Sequence, residues 1–232
     1  MRGWSTGIIE DRLRVLQRYR SWTSPAHAIA SASQRYAEDL WRDQPLEVWI
    51  EKDALLGVIE PVCEEYVVPH LAHRGSPSQT VIYEAAKRLL AIIGEGRTPR
   101  ILHLTDHDPT GIDMTRDLTE RLAKYAGQEI EVKRIALTMD QVRELNPPPN
   151  FVKETDTRTS GYQQQFGTDE CWELDALSPT VIADLIRDEL MRVLNLVKWN
   201  AAQRKEDRNR NLLKKVAQNW SKVEKALRGK KQ

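Results

Sequence analysis

Cysteine is nearly missing from this chain. The only two in 232 residues, Cys63 and Cys171, lie far apart and outside any Cys-x-x-Cys pairing. That spacing excludes a disulfide framework or a zinc knuckle and leaves two expected buried thiols. Long apolar runs are missing too: none approaches the roughly 18 residues a membrane span requires. The amino terminus lacks the basic-then-apolar layout of a signal peptide, so the expectation is a cytoplasmic protein with no membrane partner. Charge of one sign is also lacking, since 35 Lys and Arg against 34 Asp and Glu leave a net +1. No chain-wide basic character announces nucleic acid. There is no internal repeat. What is present is 40% hydrophobic residues over a length that holds one generous domain with appendages.

Residues 1–45 read as a helical lead-in. Ile8, Leu13, Leu16 and Tyr19 form an apolar stripe, and Thr23-Ser24-Pro25 caps a second helix expected to run through Trp41. From Leu46 the period becomes that of a strand. Alternation then predicts a helix over 54–66, a strand over 67–73, a helix over 78–93, a strand from about 100, a helix from Gly111 to Tyr125 and a strand over 130–137. Strands and helices alternating at this length imply a mostly parallel α/β sheet with right-handed crossovers. Residues 146–172, with Pro147-Pro148-Pro149 and a Thr-, Gln- and Gly-rich stretch, read as a long loop, functional or disordered, with Lys153, Arg158 and Tyr162 as candidates to face a substrate. Ser178-Pro179 opens a broad apolar helix. The segment from Lys198 carries twelve Lys or Arg against three acidic residues, a basic helical tail. The expected divisions are 1–45, 46–177 and 178–232.

Two apolar runs halt on carboxylates: Val48-Trp49-Ile50-Glu51 and Ile101-Leu102-His103-Leu104-Thr105-Asp106-His107-Asp108. In an open α/β sheet ligands bind beyond the carboxyl ends of the strands, so Glu51, Asp106 and Asp108 are placed to converge. Three converging carboxylates repel one another unless a cation intervenes, and their hard oxygens suit Mg²⁺ or Mn²⁺. Glu51 beside two Asp side chains would have a raised pKa, suiting a proton donor. Pro109 and Gly111 would make the turn, proline by fixing φ and glycine by permitting positive φ. The bland readings stand alongside: Asp108 as a helix cap, Lys52 and Asp53 as caps, Arg74-Gly75 as a turn, and His103 and His107 as core or supporting groups. Trp4, Trp22, Trp41 and Trp49 read as packing anchors.

A glutamate ending the first strand, an Asp-x-Asp ending the third and Pro-x-Gly just after it resemble the Toprim domain of topoisomerases, primases and several nucleases. Over 46–177 the form Asp106-His107-Asp108-Pro109-Thr110-Gly111 is similar to that of the topoisomerase VI A subunit and its meiotic double-strand-break relative. The resemblance implies a Rossmann-like sheet and a DNA-acting, Mg²⁺-dependent activity: strand cleavage by a nuclease, or isomerase-type strand transfer. Glu51 would be general acid or metal ligand and Asp106 and Asp108 metal ligands, with Glu173 or Asp175 as further candidates. That family attacks DNA with a tyrosine from a domain well upstream, whereas here fifty residues precede Glu51. Tyr19 and Tyr36, on predicted helices, lack the family's arginine-rich, paired-tyrosine context. A hydrolytic reaction, a tyrosine-bearing or ATPase partner, or a longer parent protein would each reconcile the difference; a homodimer is also allowed.

Lys52, Arg74, Lys153, Arg158, Lys214 and Lys215 are the candidate DNA-backbone contacts, with Lys222 and Lys225 continuing the helical spacing of the tail. The rival class is a non-catalytic DNA-binding or assembly protein that keeps the metal site. Asp106-His107-Asp108-Pro109-Thr110 also fits the Asp-x-Asp-x-Thr pattern of haloacid-dehalogenase-type phosphatases. That fold needs a later acidic pair after another strand, and none stands beyond Leu137.

Overall fold

A computed structural model describes residues 21–152 and 155–229. Its central unit is Asp39–Asn200. Four strands, β1 (Leu46–Ile50), β2 (His70–Ala72), β3 (Arg100–Leu104) and β4 (Glu131–Ala136), form one parallel sheet in the order β2-β1-β3-β4. In register, Val48 stands beside His70 and Leu102, and Leu102 beside Lys133. The connections are the helices that parallel strands require: α2 (Leu56–Glu65), α3 (Gln79–Gly94) and α4 (Pro109–Ala126).

β1 is buried along its whole length because helices cover both faces. Side chains alternate, so Val48, Ile50, Leu102 and Leu104 pack with Ile59 and Val62 of α2 and with Ile182, Ile186 and Leu190 of a later helix, α7 (Pro179–Val193). Trp49 and Ile101 enter the opposite layer with Ile82, Ala85 and Leu89 of α3 and Leu118 and Leu122 of α4. The helices begin where side chains meet their orphan amides: Ser78 Oγ accepts from Val81 N–H, and Ser178 Oγ from Val181 N–H.

α7 thus completes one face of the sheet and belongs with it, which moves the boundary expected at 177. Residues 146–172 are not one long loop. After the capping-box helix α5 (Met139–Leu145) come a two-residue strand β5 (Asn150–Phe151), a helix α6 (Thr159–Phe166) and β6 (Glu170–Cys171), which pairs antiparallel with β5. The polar composition had hidden a helix whose Tyr162 is buried. Trp41 and Trp49 are buried anchors as expected, whereas Trp22 is exposed; Cys63 and Cys171 are free, buried thiols.

The described parts of 1–38 and 201–232 make a second unit. Its helix α1 (Pro25–Arg35) starts at the Ser24 cap but stops well short of Trp41. The reason is competition for backbone groups. Helix α8 (Leu196–Gln218), which continues out of the central unit, supplies Arg210, whose Nε donates to Tyr36 O at 2.7 Å, and Glu206, whose carboxylate accepts from Glu38 N–H at 3.0 Å. Tyr36 therefore follows the helix, its hydroxyl donating to Glu38 and accepting from Asn209. Lys214 and Lys215 of α8 are exposed, as are Lys222 and Lys225 of α9 (Trp220–Arg228). Among the described residues no helix is long and apolar enough to cross a membrane. The apolar stripe of 8–19, Trp4 and Lys153 lie outside the described residues.

Candidate active site

The strand order fixes where a ligand can enter. From β1 the chain moves outward to β2, then crosses back to lay β3 on the other side of β1. Connections that leave two adjacent strands in opposite directions open a crevice at their carboxyl ends. Glu51 and Asp106 stand there. Glu51 N–H donates to Leu104 O at 3.0 Å, and Asp106 N–H points at Glu51 Oε2 at 3.4 Å. Thr105 remains tied to β4, donating to Ala136 O and accepting from Leu137 N–H. The next residue but one, His107, forms an antiparallel bridge with Trp172. That bridge brings in a third segment, and Leu174 N–H donates to Asp106 Oδ1 at 2.7 Å.

Glu173 and Asp175 flank that amide and reach the site through Lys52. The Lys52 ammonium lies 3.2 Å from Asp106 Oδ2, 3.1 Å from Glu173 Oε2 and 2.8 Å from Asp175 Oδ1. An ammonium has three donors, and here each has its own carboxylate. Lys52 occupies the cap position of a short 3₁₀ turn without capping it, so its side chain serves the site and not the helix. Hydrogen bonds to Asp175 and Glu173 and the Asp106 charge hold it protonated against the opposing effect of burial, which is the largest single influence on it.

Asp108 is the N-cap of α4: its Oδ1 accepts from Gly111 N–H at 2.6 Å. Its Oδ2 has no protein partner among the described residues. Gly111 is helical, so positive φ is not why glycine stands there. A Cβ at this position would lie 2.3 Å from Asp106 O and 3.2 Å from Asp108 Oδ1. The start of α4 is pressed against the strand end, and only glycine fits.

Arg134 of β4 holds this turn from beneath. Its guanidinium donates to the backbone carbonyls of Gly111 at 2.8 Å, Leu137 at 2.9 Å and Asp106 at 2.5 Å. It touches no carboxylate directly. Burial pulls its pKa down to about 10, and the nearby charges of Asp108, Glu51 and Asp106 oppose that pull. A second support is a line of buried side chains. His73 Nδ1–H donates to Gly75 O, His103 Nε2 lies 3.1 Å from His73 Nε2, and His103 Nδ1 lies 3.0 Å from Thr115 Oγ1 on α4. Burial lowers the pKa of both imidazoles, which keeps them neutral and fits one donor and one acceptor on each ring.

Five carboxylates, those of Glu51, Asp106, Asp108, Glu173 and Asp175, thus face two cations, Lys52 and Arg134. The excess appears in Glu51, whose pKa burial and then the Asp106 charge push up to about 7. Asp106 is raised too, chiefly by burial. Unfolded Glu51 loses its proton near 4.5 and folded Glu51 near 7, so this residue's contribution to stability is complete below 4.5 and lost as pH rises through 7. Glu51→Gln is expected to unfold at higher urea than the wild type at pH 8 in chelator, by about 1–2 kcal/mol after solvent screening, and to lose that advantage below pH 4.5.

The donor set suits a hard divalent cation: all its ligating atoms are carboxylate oxygens, and an internal cation already rests on Asp106. Among the described residues, however, no group of three or more His, Cys, Asp or Glu side chains is disposed to hold a metal. The Lys52 ammonium stands among the carboxylates instead.

The other expected residues are placed as follows. Arg74 is exposed in the turn after β2, on the same edge of the sheet, with Gly75 at φ +64°. Arg158 is engaged by Asp156 at 2.8 Å and approaches Asp113 at 3.6 Å, while Asp156 also accepts from Thr110. Its guanidinium fastens the 155–158 segment to α4. Tyr162 does not face a substrate; it is buried with its Oη 2.7 Å from His107 Nδ1 and 3.1 Å from Glu170 O. Burial pulls His107 down to about 4, so it acts as a neutral spacer under the turn. Lys214 and Lys215 lie outside the central unit. Sequence reasoning named Lys52 as a cap or phosphate contact but not as the hub of three carboxylates, and missed Arg134 altogether; the available signal was an arginine near the carboxyl end of β4. No protein-family model, no curated protein and no solved structure matches this chain.

Proposed function

We propose that this protein carries out divalent-cation-dependent phosphodiester chemistry on DNA at a Toprim-like site. The observation that carries the reading is the meeting of Glu51 and Asp106 at the switch point between β1 and β3, with Asp108 opening the next helix. It agrees with the Glu and Asp-x-Asp-Pro-x-Gly resemblance in the sequence. Asp106 and Asp108 would hold Mg²⁺ or Mn²⁺, which supplies charge stabilisation for the non-bridging phosphate oxygens. Glu51 would either complete the ligand set as a carboxylate or, standing off the ion, serve as general acid toward the leaving sugar oxygen, a role that its raised pKa in the metal-free protein favours. Arg134 and Gly111 hold the Asp106–Asp108 turn in place, and Arg74 on the same edge is free to meet a phosphate.

The surroundings of Tyr162 and Tyr36 favour water as the attacking group over either of them. Tyr162, the one bonded to the turn, is buried, and burial pushes its phenol well above the ordinary range. Tyr36 belongs to the other unit and is bonded to Glu38. A tyrosine supplied by a partner, as the topoisomerase resemblance implies, is the alternative source. The saturation of Lys52 by three carboxylates favours one second reading, a DNA-binding protein that does not cleave.

The test is incubation of supercoiled plasmid with the protein and Mg²⁺ or Mn²⁺, with products resolved before and after protease treatment. Nicked or linear DNA with free ends is expected. Protein left on the ends would assign the attack to a tyrosine. Salt-sensitive gel retardation with no cleavage at any metal concentration would overturn the enzymatic reading in favour of the binder.

A further inference from the structure

We infer that Lys52 is the site's own cation: it holds the Asp106 position in the metal-free protein and must yield that carboxylate when a divalent cation loads. The inference rests on the divalent-cation reading of the site. Asp106 has two oxygens with different duties. Oδ1 is fixed by Leu174 N–H at 2.7 Å, so Oδ2 is the one left for a cation, and Lys52 Nζ is 3.2 Å from it. An ammonium and a divalent ion on that oxygen repel each other as like charges, so one excludes the other.

Lys52 has somewhere to go. Glu173 and Asp175, both more exposed than Asp106, already accept from its other two N–H donors. Loading therefore requires loss of one contact of three while the side chain stays in the crevice. The yielded N–H donor then faces the opening, where a phosphodiester oxygen replaces the Asp106 carboxylate as its acceptor. Metal loading and substrate binding become mutually supportive, because each completes what the other leaves unpaired. A metal-free site is meanwhile kept closed by its own chain, with no three carboxylates among the described residues disposed as a cage.

The test follows the free Mn²⁺ signal by electron paramagnetic resonance in titrations of the full chain, with wild type, Lys52→Met and Lys52→Arg compared in parallel. Lys52→Met is expected to bind Mn²⁺ at least about tenfold more tightly than wild type, and Lys52→Arg to stay near it. Thermal unfolding gives a second readout. In chelator Lys52→Met is expected to melt below wild type, because three carboxylates lose their shared partner, and to gain more in Tm than wild type when Mn²⁺ is added. If Lys52→Met is unfolded without metal, folding driven by Mn²⁺ supports the same conclusion, and failure to fold with Mn²⁺ overturns it. Equal affinities in wild type and Lys52→Met overturn the role of Lys52 while leaving the cation site standing. Absence of Mn²⁺ binding in all three overturns both.

Discussion

Asp106→Asn is expected to reduce metal-dependent cleavage by about a thousandfold or more while leaving the fold nearly intact. The two halves of this result come from different oxygens. Asparagine keeps a carbonyl oxygen to accept from Leu174 N–H, so the β3 end and the 170–175 segment stay joined. It loses the charge at Oδ2, where Lys52 rests and where the proposed cation would bind. Lys52 retains Glu173 and Asp175, and the loss of one partly exposed contact costs on the order of 1 kcal/mol. Asp106→Ala removes both functions and is expected to lose stability as well. Cleavage rates paired with thermal melts separate the two variants, and equal activity in Asp106→Asn and wild type would remove Asp106 from the chemistry.

Gly111→Ala is expected to be the most damaging Gly→Ala change among the described residues, costing about 3 kcal/mol or more in urea unfolding. The added Cβ would meet Asp106 O at 2.3 Å and Asp106 C at 3.1 Å, both backbone atoms held by neighbours. Arg134 bonds that same Asp106 carbonyl and the Gly111 carbonyl, so relief in one direction breaks the clamp. A rotamer change cannot help, because neither clashing atom belongs to a side chain. Gly57 in α2 provides the control. A Cβ added there would meet nothing within 4 Å, and Gly57→Ala should stabilise by about 0.5–1 kcal/mol through helix propensity. If the two substitutions have similar costs, close approach is not what selects glycine at 111.

The sheet was legible because its signals are local. A short, mostly apolar run followed by helical spacing is the mark of a parallel strand covered on both faces, and Glu51 and Asp106 fell just beyond the ends of β1 and β3. Long-range relations were less visible. The Lys52 contacts with Glu173 and Asp175 join residues more than 120 positions apart, and no periodicity in either segment announces them. The 146–172 stretch misled for a related reason. Its helix is short, rich in Gln, and buries one tyrosine against His107, so tertiary contact and not sequence pattern holds it. At Gly111 the residue was singled out correctly and its reason misjudged. Both a tight turn and a close approach ask for glycine, and the distinction lies in atoms from another segment. The α1 end likewise depended on α8, some 170 residues later.

The Arg134 clamp also separates two properties that active sites often bind together. It grips carbonyls, which every residue type possesses, and no side chain of the turn it holds. The clamp itself is therefore indifferent to which side chains stand at 106, 107, 108 and 110, while Asp106 and Asp108 add side-chain ties of their own to Leu174 N–H and Gly111 N–H. Such a turn behaves as a socket. Over evolutionary time, substitutions that keep an acceptor for Leu174 N–H and for Gly111 N–H could sample new donor sets there with the carbonyl clamp still closed.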